Sequence, residues 1–158
     1  MLAELRQDAA GAVEDLRDLA RGIYPPLLAS GGLVAALEAQ ARKAPVPTSV
    51  TADGVGRYPQ EVEAAVYFCV LEALQNVAKY AGAGRAEVRL AASGQDLRFE
   101  VSDDGAGFDP QSRRYGTGLQ GMADRLHAHG GSLDVRSAPG AGTTILGLLP
   151  WRVLEVAG

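Results

Sequence analysis

In the stretch VLEALQNVAKYAG, Val70 to Gly82, a carboxylate and a carboxamide stand four residues apart as Glu72 and Asn76, and Lys79 follows three residues later. On a helix turning about 100° per residue these three side chains fall within an arc of roughly 60°. The i, i+4 spacing sets the two oxygen-bearing groups on adjacent turns. Such hard oxygens suit a hydrated magnesium ion on a nucleotide, which keeps several waters and takes one or two protein oxygens. A solvated polar face is the plain alternative. Against it, Ala65, Phe68 and Cys69 share that face, and a surface mixing Phe and Cys with Glu and Asn resembles a pocket wall.

A second cluster is VSDDGAGFD, residues 101–109. Strand parity separates its aspartates: Asp103 continues the row of Leu97, Phe99 and Val101, whereas Asp104 points the other way. An inward carboxylate at a strand end needs a donor, and an amino group on a flat heterocycle would supply one. Gly105 and Gly107 would let the backbone bend and approach a ligand; an aspartate–glycine turn is the alternative. Farther on, YGTGLQGM puts Gly116, Gly118 and Gly121 at the start of a helix, where free amides and the helix dipole favour an anion such as phosphate. The segment FDPQSRRYGT before it reads as a short lid, with Arg113 and Arg114 within reach of phosphates or simply solvated. In GAGTT, Thr143 sits on a strand, where its hydroxyl could share a water with Asp103 or serve β-propensity alone. His127 and His129 project about 160° apart on a helix and cannot share a metal ion.

These groups need a scaffold. Val62, Val66, Val70, Ala73, Leu74, Val77 and Ala81 form the core side of the helix that carries Glu72, with Pro59 at its start and Glu61 and Glu63 at its positive end. RAEVRLAAS and QDLRFEVSD predict two strands around a turn at Gly94, and SLDVRSA with TTILGLLPW predicts another hairpin. A short strand is expected near Ser49 to Ala52. LQGMADRLHAHG predicts a helix with Leu119, Met122, Ala123 and Leu126 inward, and GGLVAALEAQARK another with Leu33, Leu37 and Ala41 on one face. The expected fold class is α+β, a mixed and mostly antiparallel sheet covered by helices. Ahead of it, Leu2, Leu5, Ala9, Ala12, Leu16, Leu19 and Ile23 follow a 3,4 spacing. That is a coiled-coil or bundle seam, and it predicts homodimerisation through the N-terminal helix. Pro25 and Pro26 end this helix, and a hinge is expected over residues 24–32.

The bulk properties narrow the function. A chain of 158 residues with 47% hydrophobic content can bury a sizeable core. Its net charge of −4 offers no basic surplus for a nucleic-acid backbone. The lone Cys69 excludes an internal disulfide or a cysteine zinc site. No apolar run reaches the ~18 residues of a membrane span. The expectation is a cytoplasmic chain that makes no membrane contact of its own.

The order of the motifs is more specific than any one of them. E-x-x-x-N on a helix, D-x-G-x-G after a strand, G-x-G-L-x-G-M opening a helix and G-x-G-T before a last strand together resemble the ATP-binding domain shared by histidine kinases, gyrase B, Hsp90 and MutL, the Bergerat or GHKL fold. The resemblance spans residues 32–150 and implies a two-layer α/β sandwich that binds ATP or ADP with Mg2+. It implies Asn76 as the magnesium and phosphate ligand, Glu72 beside it supporting a metal-bound water or acting as base, and Lys79 on phosphate. Asp103 would take the adenine amino group, with Gly105 and Gly107 lining the base pocket and Thr143 backing the base. Gly116, Thr117, Gly118 and Leu119 would form the lid hinge against the phosphates.

The segment LRDLARGIYPPLLASGGLVAALEAQA is similar to the end of the dimerisation unit in sensor kinases paired with response regulators that carry a LuxR-like DNA-binding domain. This implies residues 1–31 as the end of that unit and its hinge, and residues 32–158 as the catalytic domain. Two departures stand out. Tyr80 replaces the histidine usual after the lysine, and the phosphoacceptor histidine has no counterpart. The implied chain is a fragment of a longer kinase, itself a soluble protein or the cytoplasmic part of a membrane sensor. It would present the ATP γ-phosphoryl group to a histidine elsewhere in the parent's dimerisation helix, and alone it would bind nucleotide without phosphorylating itself. The alternatives are a hydrolase of the gyrase or chaperone type, with Glu72 activating water, and an anti-sigma-like serine kinase or binding module.

Overall fold

A computed structural model describes residues 25–107 and 117–151, with the backbone alone described at Tyr80, Ala81, Thr117 and Gly118. The leucine seam, the segment carrying Arg113 and Arg114, and Gly116 lie outside the described residues. Helix α1 (Pro26–Gly31) begins with a proline at its first turn, where the missing N–H costs no hydrogen bond. It occupies the stretch expected to be a hinge, and its Leu28 is buried in the common core. Gly32, at φ +92°, turns the chain into α2 (Leu33–Lys43). Leu33, Leu37 and Ala41 of α2 are buried as their spacing predicts.

Strand β1 (Thr48–Asp53) lies at one edge of the sheet and pairs in parallel with β2 (Ala86–Ser93). Parallel neighbours need a long crossover. Here it contains α3 (Gln60–Asn76) and a π-helical turn, Val77–Ala81. β2 then folds back on β3 (Asp96–Asp103) through Gly94, whose φ of +58° suits the tight turn. Helix α4 (Thr117–Ala128) leads to the hairpin of β4 (Ser132–Ser137) and β5 (Thr143–Pro150). The sheet runs in the order β1-β2-β3-β5-β4, antiparallel except for its first pair.

Period-two burial decides which sheet face meets the helices. Val88 and Leu90 of β2, Leu97, Phe99 and Val101 of β3, and Ile145 of β5 are buried beneath α3 and α4. Val62, Val66, Val70, Ala73 and Val77 close the core from the helix side. Exposed Arg89 lies on the opposite sheet face and pairs with Glu87 and Glu100 at 2.7 and 4.0 Å. The fold is therefore the expected α+β arrangement of one helical layer on one sheet. Phe99 stands directly across from Gly147, where a Cβ would collide with its ring. That glycine makes room for the largest apolar side chain of the sheet core. Among the described residues, no helix is long and apolar enough to cross a membrane.

One buried charge braces the amino end of α3. Glu63, expected to serve the helix dipole, is 2% exposed and takes Arg57 Nε at 3.0 Å, Arg57 Nη2 at 3.3 Å and the Tyr58 amide at 3.2 Å. Arg57 also donates to the carbonyls of Ala29 and Ser30 at 3.0 and 3.4 Å. The guanidinium thus fastens the end of α1 to the start of α3. Its several donors satisfy two orphan helix-end carbonyls and the carboxylate together.

Candidate nucleotide site

The α3 face that carries Phe68 and Cys69 is not an open pocket wall along its length. Ala65 and Cys69 are essentially fully buried, and the Cys69 thiol faces the Met122 carbonyl of α4 at 3.8 Å. Burial pushes that thiol up to about 12, against the lowering effect of Arg125. The Arg125 guanidinium lies 4.0 Å from the Phe68 ring centre, a cation–π contact. The correction has a simple cause: α4 docks on this face, so α3 is buried on two sides. The pairings Phe68–Arg125 and Cys69–Met122 order the helices antiparallel.

Where that helix contact ends, burial relaxes. Glu72 and Asn76 are both partly exposed, while Lys79 is exposed. Burial raises the Glu72 carboxyl above the ordinary carboxylate range, and the Lys79 charge partly offsets this. The α-helix itself ends at Asn76, and Lys79 sits within the π-turn. An i→i+5 turn rotates less per residue than an α-turn, so the constant-angle wheel that put all three side chains within one arc fails after Asn76. Lys79 is carried outward, yet its charge still acts on Glu72.

The carboxyl end of β3 supplies the other wall. Asp103 is half-buried and accepts the Gly105 amide at 2.8 Å. Its carboxyl is raised chiefly by burial; the Gly105 amide opposes this, Asp104 adds to it, and the Thr143 amide opposes it. Asp104 points the opposite way, as parity predicts. It accepts the amides of Gly84 and Arg85 at 2.8 and 3.0 Å and is held below the usual range by them, Arg85 first. Sequence reasoning had given this side chain no task. It ties the end of the π-turn segment to the end of β3, so the helix carrying Asn76 and the strand carrying Asp103 share one corner.

Register assembles the rest. Asp103 pairs with Thr143, and Thr143 pairs with Ser137. The Ser137 hydroxyl lies 2.9 Å from the Thr143 hydroxyl and donates to the Gly142 carbonyl at 3.0 Å. Gly107 (φ +66°) and Gly142 (φ +73°) interlock the two glycine loops. A Cβ on the first would strike the Ala138 carbonyl, and a Cβ on the second the Asp103 carbonyl. Main chain therefore fills the room that Gly107 leaves. Thr117 and Gly118 begin α4, and Leu119 packs against the core. Among the described residues no cluster of three or more His, Cys, Asp or Glu is placed to hold a metal. The donors available are those suited to a cation that keeps its waters and shares phosphate oxygens, namely the Asn76 carboxamide and the neighbouring Glu72 carboxylate.

The two raised carboxyls set opposite pH trends. Glu72 and Asp103 bind protons more readily folded than unfolded, so their contribution to the stability of the ligand-free chain falls as pH rises from the ordinary carboxylate range through the raised values. A ligand amino group, in contrast, needs Asp103 ionised. Affinity for an adenine nucleotide is expected to drop on acidification while the pH is still above the ordinary aspartate range. Calorimetric titrations across pH would show this; an affinity flat down to that range would contradict it.

With this geometry in place, the comparisons with known proteins decide the family. A family model described as histidine kinase-, DNA gyrase B-, and HSP90-like ATPase matches residues 61–152, from the first turn of α3 to just past β5. The chain belongs to this family. The sensor histidine kinase MctS of Rhizobium johnstonii is 36% identical over 149 residues, covering 89% of this chain and 32% of that protein. The signal transduction histidine-protein kinase/phosphatase DegS of Brevibacillus brevis is 30% identical over 155 residues, covering 94% of this chain and 40% of that protein. The chain therefore spans about a third to two fifths of these curated relatives.

Solved structures agree with the fold. A mycobacterial sensor histidine kinase, MprB, superposes with a TM-score of 0.52 at 28% identity, over 72% of this chain and 88% of that one. The histidine kinase domain of the blue-light activated histidine kinase of Erythrobacter litoralis gives 0.53 at 25% identity, over 66% and 55%. The five-stranded sheet and its helices are thus those of a histidine-kinase-type ATPase domain.

Proposed function

We propose that this ATPase-family chain is the catalytic, ATP-binding part of a protein-histidine kinase, holding ATP so that its γ-phosphoryl group reaches a histidine on the parent's dimerisation helix. The observation that carries the reading is the family match over residues 61–152, which takes in the helix of Glu72 and Asn76 and the strand ends of Asp103 and Thr143. These residues and their neighbours divide the work by chemistry. Asp103 accepts the adenine amino group, Thr143 backs the base, Gly105 lines the base pocket, and Gly107 leaves room for the Ala138 and Gly142 carbonyls.

Asn76 holds magnesium with Glu72 beside it, and Lys79 meets phosphate. Gly116 to Leu119 lead from the lid to the α4 dipole, whose positive end stabilises phosphate charge. Bound magnesium would supply charge neutralisation across the phosphates. Otherwise the residues position the nucleotide, which is most of what phosphoryl transfer asks of a protein.

The Arg-Gly-Ile-Tyr-Pro-Pro sequence of residues 21–26 supports pairing with a response regulator of the LuxR-like class, and the leucine seam supports dimerisation of the parent. The curated relatives, one named a sensor histidine kinase and the other a signal transduction histidine-protein kinase/phosphatase, support a two-component role. Calorimetric titration with ADP, with and without magnesium, tests the site. Magnesium should strengthen ADP binding, and Asn76→Ala should remove most of that gain, on the order of tenfold or more, while leaving metal-free ADP binding in place. Equal affinities with and without the metal, or a variant that keeps the full gain, would overturn the assignment.

A further inference from the structure

We propose that Ser137 is a positioning residue that makes the site select adenine over 6-oxopurines, by fixing the Thr143 hydroxyl as an acceptor toward the base. The inference rests on the nucleotide reading above and follows from the hydrogen bonds at the ends of three strands. Asp103, Thr143 and Ser137 occupy successive register positions on β3, β5 and β4. Directly paired residues of antiparallel strands project from the same face, so the three side chains form one row across the sheet. The Ser137 hydroxyl has a single proton, and the Gly142 carbonyl 3.0 Å away can only accept it. The 2.9 Å contact between the two hydroxyls must then use the proton of Thr143.

Once that proton is committed, Thr143 offers only lone pairs to whatever lies beside Asp103. An ionised Asp103 also offers only lone pairs. The row therefore matches a 6-amino group, or a water donating into the row, and opposes a 6-oxo group, whose acceptor would face acceptors. A buried site that leaves polar groups wrongly paired rejects a ligand more strongly than one that merely misses a contact. Without Ser137, the Thr143 hydroxyl can turn and donate toward the base, and much of that rejection is lost.

ADP and inosine diphosphate isolate the effect, because IDP carries the 6-oxo group without guanine's extra amino group. Calorimetry on the whole chain should show ADP bound more tightly than IDP. Ser137→Ala should lower the ADP-to-IDP affinity ratio about fivefold, the scale of one hydrogen bond. Ser137→Thr, which keeps the hydroxyl, should restore it. In a Thr143→Val background, Ser137→Ala should change the ratio no further, an outcome that loss of loop packing alone would not produce.

An unchanged ratio in Ser137→Ala, or an equal fall with and without the Thr143 hydroxyl, would overturn the proposal while leaving the nucleotide site intact. Failure of the unaltered chain to bind ADP would overturn both.

Discussion

Arg57→Ala is expected to lower the folding free energy by about 3–5 kcal/mol, the scale for stripping a buried charge of its partner. The asymmetry of the pair sets the direction. Glu63 is 2% exposed, whereas the Arg57 side chain is 52% exposed. Removing the arginine strands a carboxylate with little beyond the Tyr58 amide. It also removes the donors to Ala29 and Ser30 at the end of α1. Glu63→Gln keeps much of the shape and leaves a guanidinium that can turn to water, so it should cost less, about 1–2 kcal/mol. Urea unfolding followed through Trp151, the lone tryptophan, whose ring lies tilted against Tyr58 with centroids 5.4 Å apart, would report both. Two variants of equal stability, or a loss under about 1 kcal/mol for Arg57→Ala, would show the clasp to be a surface ion pair.

Asp103→Asn carries the largest expected effect on binding. The carboxylate continues the inward row at the end of β3 and accepts the Gly105 amide at 2.8 Å. A hydrogen bond to a charged group contributes about 1.5–3 kcal/mol, so adenine nucleotide affinity should fall roughly 10- to 100-fold. The fold should survive, because the raised pKa already reports that burial opposes the charge of Asp103 in the ligand-free chain. The carboxamide should leave thermal stability equal or slightly higher near neutral pH. A calorimetric titration beside a melting curve separates the outcomes. Unchanged affinity would remove Asp103 from the base pocket, and a collapsed melting transition would make it structural.

What could be read beforehand followed local periodicity. The valines of α3, the alternating row of β3, the opposed aspartates at 103 and 104 and the turn at Gly94 all depend on neighbours within a few residues. Contacts across the fold were not legible. The Arg57 guanidinium reaches carbonyls 27 and 28 positions away, and Cys69 meets a helix 53 positions on. The need for Gly147 appears only when β3 is known to pair with β5 and Phe99 falls opposite it. Ser137 was missed for the same reason: its partner is a hydroxyl across a hairpin, and a serine ending a strand signals nothing alone. The π-turn escaped because a helical wheel assumes a constant rotation, and Val77–Ala81 breaks it just where Lys79 stands.

The candidate site itself was legible because glycines and short polar side chains in a fixed order are unusual, whereas the way its two halves meet was not. Their junction is the Asp104 carboxylate on the amides of Gly84 and Arg85, a bond between a strand end and a loop that no periodicity encodes.

The corner between the end of α3 and the ends of β3 and β5 can be tested in one titration of the isotopically labelled chain with ADP and magnesium, following backbone amide resonances. Shifts are expected at Glu72 to Lys79, at Asp103 to Gly107 and at Thr143 together, with saturation at a single concentration and little change along β1 and α2. Shifts confined to either half alone, or centred on β1, α2 or the exposed face of the sheet, would contradict a nucleotide site at this corner.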